Sequence, residues 1–91
     1  MQQQTLSIQI TGKVQGVWFR KHAAEKARQL GLTGFVTNRA DGSVHILATG
    51  TSQQLHALTE WCKKGPPLAR VTAVTAHPLP LQQFPDFTIL R

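Results

Sequence analysis

Hydrophobic and polar positions change period several times along the chain. From Thr5 to Thr11 they alternate, with Leu6, Ile8 and Ile10 on one side and Ser7 and Gln9 on the other. A period of two predicts a half-buried strand. Gly12 to Trp18 breaks the alternation with two glycines. The spacing then lengthens: Phe19, Ala23, Ala27 and Leu30 recur at helical intervals, Lys21, Glu25 and Arg28 fall on other faces, and Gly31 stands where a helix stops. Gly34 to Asn38 is short and β-rich, Asp41-Gly42 is a turn signal, and Val44, Ile46 and Ala48 alternate again. That is a β-hairpin, which Gly50 is expected to end. Thr51-x-x-Gln54 has the form of a capping box. Behind it Leu55, Leu58 and Cys62 mark an apolar helical face with Trp61 beside it, and Lys63-Lys64 then Gly65-Pro66-Pro67 close the helix. Val71 to Ala76 reads as a strand that Pro78 and Pro80 bar from continuing as an interior strand. Pro78 to Pro85 reads as a connection, and Phe87 to Leu90 as a last short strand.

The order is strand, helix, strand, strand, helix, strand, with a short strand at the end. A hairpin between two helical crossovers is the split βαβ arrangement, so the expected fold is α+β, a ferredoxin-like two-layer sandwich. Both helices should cover one face of a mixed or antiparallel sheet, leaving the other open to solvent. A chain of 91 residues suits one domain, expected over 1–91. A core this small favours a shallow surface cradle over a wide interior pocket.

Composition narrows the function classes. The net charge of +6 favours anionic partners, from small phosphates to nucleic acid, although a soluble basic surface without a specific partner would look the same. One cysteine, Cys62, cannot staple the fold, and Met1 to Thr5 has no basic cluster followed by an apolar run. Gln2 to Gln4 read as a frayed lead-in. A cytoplasmic location is expected, with no membrane contact and with a monomer as the default. His22, His45, His56 and His77 form no recognised zinc spacing with each other or with Cys62, so no metal is expected.

Two segments carry candidate chemistry. The first is Gly12-Lys13-Val14-Gln15-Gly16-Val17-Trp18-Phe19-Arg20, between a strand and a helix. Glycines allow successive amides to converge into an anion-binding nest, and a helix N-terminus adds unpaired N–H groups. Arg20 in the first helical turn opposes the helix dipole unless an anion sits nearby, and its planar fork suits two phosphate oxygens. An ordinary βα connection with a solvated Arg20 would have the same sequence. The segment is not a Walker A loop, because Lys and Ser or Thr do not follow its second glycine. The second segment is Gly34-Phe35-Val36-Thr37-Asn38-Arg39-Ala40-Asp41-Gly42-Ser43-Val44. The Asn38 carboxamide can accept from a water and donate to an anion at once, or it can simply cap the turn. Asp41 reads as a turn residue, His22 as a surface residue, and Trp18 as rimming the loop or packing at its base, packing being the expectation.

Together these segments resemble the two signatures of the acylphosphatase family, Gly-x-Val-Gln-Gly-Val-x-Phe-Arg and Gly-aromatic-Val-x-Asn-x-x-Asp-Gly-x-Val, and each matches throughout. Gly65 to Val71 resembles the family's stretch after its second helix, so the likeness spans nearly the whole chain. It departs outside the signatures, at His45, where many members carry an acid, and in Pro78 to Pro85. The resemblance implies a ferredoxin-like hydrolase of acyl phosphates that needs no metal or cofactor. Arg20 falls on the family's phosphate-binding arginine, Asn38 on its water-positioning asparagine, and Gln15, Gly16, Val17, Trp18 and Phe19 on the loop whose amides cradle the phosphate. The implied partners are a small acyl phosphate substrate and inorganic phosphate as product and inhibitor. Nucleic acid is not expected as a partner, because the segments Thr5 to Thr11 and Ser43 to Ala48 carry no aromatic residue for stacking bases.

Overall fold

A computed structural model of the protein describes residues 2–90, so the expected domain ends at Met1 and Arg91 lie outside the described residues. Seven elements follow in the expected order: β1 (Gln3–Lys13), α1 (Phe19–Gln29), β2 (Thr33–Asn38), β3 (Val44–Thr51), α2 (Ser52–Lys64), β4 (Arg70–Leu79) and β5 (Phe87–Leu90). The strands form one five-stranded sheet in the order β4-β1-β3-β2-β5. Every pairing is antiparallel except β2 with β5, which is parallel. The sheet is therefore mixed, and the ferredoxin-like sandwich expected from the pattern is the fold observed.

Register explains which residues are buried. Ile8 pairs with Ile46, Ile46 with Val36, and Val36 with Ile89, so these side chains project from one face. Both helices pack on that face and touch each other, α1 over β2 and β5, α2 over β4, β1 and β3. Ile8, Ile10, Val36, Val44 and Ile46 meet Phe19, Ala23, Ala27, Leu55, Leu58 and Cys62 in one core. Each large aliphatic side chain buried this way contributes about 1.5–3 kcal/mol. Burial raises the Cys62 thiol to about 12, which leaves it an apolar filler, as the sequence suggests, and not a thiolate.

Several boundaries differ from the sequence expectation. Gln3 and Gln4 are not frayed: they pair with Thr51 and Gly50 and lengthen β1. Gly50 does not end β3, because it lies inside the β1–β3 ladder; a Cβ there would collide with Leu32 and stand 2.7 Å from Gln54 Oε1. Its lack of a side chain admits the neighbouring loop and the helix cap. β1 runs through Gly12 to Lys13, with a bulge against β4 after Thr11. β4 passes through Pro78, which an edge strand tolerates.

The sheet's second face is less open than expected. β4 and β5 lie at opposite edges, and the helices occupy one side, so residues 80–86 must cross the other. Gln82 fixes that crossing: its N–H donates to Thr5 Oγ1 (2.8 Å), and its carbonyl accepts from Thr49 Oγ1 (2.8 Å). Phe84 sets its ring edge-on to Phe35, 6.0 Å between centroids. Thr5 and Thr49 are buried as a result.

Candidate active site

The two helices begin differently. α2 opens with a complete capping box: Gln54 N donates to Thr51 Oγ1 (3.2 Å) and Thr51 N to Gln54 Oε1 (2.9 Å). α1 has no side-chain cap and no acidic residue in its first turn. Its first amides and the positive end of its dipole are left without a side-chain partner from the helix itself, an arrangement suited to an anion. The loop before it is shaped accordingly. Gly16 has φ 74° and Trp18 φ 65°, both left-handed, and Trp18 is followed directly by helical Phe19. Alternation of handedness turns successive N–H groups toward one point. Among the described residues Trp18 is the only non-glycine with positive φ, a strained conformation for an aromatic residue. Two donors from His22 hold its carbonyl, the backbone N–H at 3.1 Å and the ring Nδ1–H at 2.9 Å.

Neighbours anchor the loop. Val14, Val17 and Phe19 are buried, and the Phe19 ring meets Trp61 of α2 edge-on at 5.4 Å. Gln15 Nε2 donates to the carbonyls of Arg39 and Ser43, both at 2.8 Å, tying the loop to the β2–β3 turn. Within that turn Asp41 Oδ1 accepts from Ser43 N (2.9 Å) and Ser43 Oγ (2.6 Å). These bonds hold the Asp41 carboxyl below the ordinary carboxylate range and make it a turn residue.

A cleft of about 320 Å³ opens at the start of α1, lined by Val14, Gly16, Trp18, Phe19, Arg20, Lys21, Asn38 and Ile89. Arg20 and Asn38, far apart in sequence, thus share one concavity with the glycine loop. Arg20 reaches it from the first turn of α1, with one terminal N–H donating to Leu90 O at 3.3 Å. Asn38 reaches it from the last position of β2, on the same face as Val36. Its Oδ1 is buried and has no hydrogen-bond partner among the described residues. A buried amide oxygen is ordinarily satisfied, so this one is poised for a solvent or ligand proton.

Of the expected cradle residues, Gly16, Trp18 and Phe19 line the cleft, whereas the side chains of Gln15 and Val17 are engaged elsewhere, one bonded to the neighbouring turn and one in the core. Trp18 does not pack at the base of the loop: it is 67% exposed. The core side of the loop is already filled by Val14, Val17 and Phe19. Val14, Lys21 and Ile89 line the cleft as well, outside the expected set; Lys21 reads from the sequence as a charge that either draws anions toward the loop or is simply solvated. Lys21 follows Trp18 at a helical interval of three, a signal available in the sequence, but Ile89 enters only because β5 docks beside β2. Among the described residues no Asp or Glu lines the cleft, while two cationic side chains do. The cleft is therefore electropositive, with a polar amide at its wall.

Comparison with known proteins agrees with this geometry. The acylphosphatase family profile matches residues 6–89. An acylphosphatase of Methylococcus capsulatus is 46% identical over 85 residues, covering 92% of each chain. A solved acylphosphatase structure from Coxiella burnetii superposes with a TM-score of 0.94 at 36% identity, covering 97% of this chain and 93% of that one. One from Bacillus subtilis gives 0.93 at 34% identity, covering 99% and 100%. On its sequence, its fold and the surroundings of its cleft, the chain belongs to the acylphosphatase family.

Proposed function

We propose that this protein hydrolyses the carboxyl–phosphate bond of acyl phosphates, giving a carboxylate and inorganic phosphate, by in-line attack of a water that Asn38 positions. The observation that carries the reading is the shared cleft: a guanidinium, an uncapped helix start and an unpartnered carboxamide oxygen open on one volume. The phosphate dianion lies against the amides of Gln15 to Phe19 and takes the Arg20 fork on two oxygens. Asn38 Oδ1 accepts from the water and its Nδ2 donates toward the phosphate, which fixes the water in line with the scissile P–O bond.

Phosphoryl transfer asks for positioning and for stabilisation of charge spread over the phosphoryl oxygens, and fixed amides with Arg20 supply both. The leaving group is a carboxylate of low basicity and requires no general acid. Asp41 is committed to Ser43, and His22 donates its Nδ1–H to a backbone carbonyl. A phosphate oxygen of the substrate therefore takes the proton of the attacking water.

The direct test is phosphate release from benzoyl phosphate in the presence of a chelator. Turnover that inorganic phosphate inhibits competitively is the expected result. No release, combined with tight salt-dependent binding of RNA, would replace this reading with a basic binding module. The cover that Phe84 gives Phe35 speaks against such a module, because it withdraws an aromatic from the sheet face that would stack bases.

A further inference from the structure

We infer that Trp18 grades substrates by their acyl group: its indole is the wall at the cleft mouth on which that group stacks, and aromatic acyl phosphates are preferred over acetyl phosphate. This rests on the acyl phosphate reading of the site and adds a residue with a role in specificity.

The fold does not account for this side chain. Trp18 is 67% exposed, more than a large apolar residue needs for any packing role, and it occupies a left-handed backbone position that glycine would adopt without strain. The position is nonetheless rigid. The two His22 donors fix the Trp18 carbonyl, and the helix starts at the next residue, so the direction of the side chain is set by the backbone. Lys21 Nζ stands 5.7 Å from the ring centroid, a cation–π contact that steadies one face of the indole and leaves most of the ring open.

The neighbours define what the open ring can meet. Arg20 and Asn38 line the same cleft as Trp18, and so do the apolar side chains of Val14 and Ile89. An acyl group on a phosphate held in this cleft has these surfaces as its neighbours. The indole is the largest of them. A phenyl ring stacks on it through an offset or edge contact worth about 0.5–1.5 kcal/mol beyond simple burial, whereas a methyl group gains little. The wall is single and open, so it ranks acyl groups without excluding any.

The test compares kcat/KM for benzoyl phosphate and acetyl phosphate as a ratio, in the wild type and in two variants. Trp18→Gly removes the ring and keeps the left-handed backbone accessible; Trp18→Phe restores an aromatic face. The expected ratio falls about five- to tenfold in Trp18→Gly and recovers most of that loss in Trp18→Phe. A second measurement needs no turnover: in a Trp61→Phe background, phenylphosphonate should change Trp18 fluorescence more than methylphosphonate does. A ratio unchanged in Trp18→Gly, a Trp18→Phe variant as low as the glycine variant, or equal fluorescence responses would each overturn the inference. A wild type that cleaves neither substrate would instead defeat the parent reading.

Discussion

Asn38 ends β2 with its carboxamide on the helix side of the sheet, two residues after fully buried Val36. At that depth an unpartnered oxygen is expensive, on the order of 1–3 kcal/mol, a cost that the proposed role in positioning water would explain. Arg20 is the complementary case, a cation placed where the helix dipole disfavours it. Arg20→Ala should therefore lose substrate binding and turnover together, by about 10²-fold or more in kcat/KM, as steady-state kinetics with benzoyl phosphate would read. Near-normal kinetics would contradict its role. That both face one cleft was legible in the sequence, since each falls in a contiguous signature, while their roles belong to the proposed mechanism. The outward course of Trp18 was not, because the decision between rim and core depends on how Val14, Val17 and Phe19 fill the space beneath the loop.

At the scale of elements, the periodicity of the chain placed every helix and strand, and the capping box of α2 formed as its four-residue pattern predicts. Two of the boundary errors fell at glycines, Gly12 and Gly50, where a missing side chain reads equally as a stop or as a close approach. Gly34 and Gly42 separate the two cases. Both have positive φ, but a Cβ on Gly34 would overlap the Leu47 carbonyl in the adjacent strand, whereas one on Gly42 would meet nothing within 4 Å. Gly42→Ala should cost about 1–2 kcal/mol through backbone strain alone. Gly34→Ala should exceed it by at least about 1 kcal/mol, because the β2–β3 ladder must part. Urea denaturation of the two variants checks the order, and equal losses would mean that β2 shifts without penalty. Because β2 ends at Asn38, the same ladder sets the position of the carboxamide.

Over the whole molecule, the fold brings three sequence-distant stretches to one edge of the helix layer: the loop before α1, the end of β2 and the last strand. The first two carry recognisable motifs. The third does not, because a four-residue strand says nothing about which neighbour it joins, and the parallel pairing of β5 with β2 is decided by the crossing of residues 80–86. Helix positions could be read from local spacing, but the covering of the second sheet face is a tertiary contact with no periodic signature. The proposed mechanism separates duties within this assembly: in it Arg20 and the amides hold phosphate while Asn38 aims water. The measurement that tests this most directly sets kcat for benzoyl phosphate beside the inhibition constant of inorganic phosphate in Asn38→Ala. The account predicts that kcat falls by about 10²-fold or more while phosphate binds within a few-fold of wild type. A variant that keeps its turnover, or that loses phosphate affinity in step with it, would contradict the account.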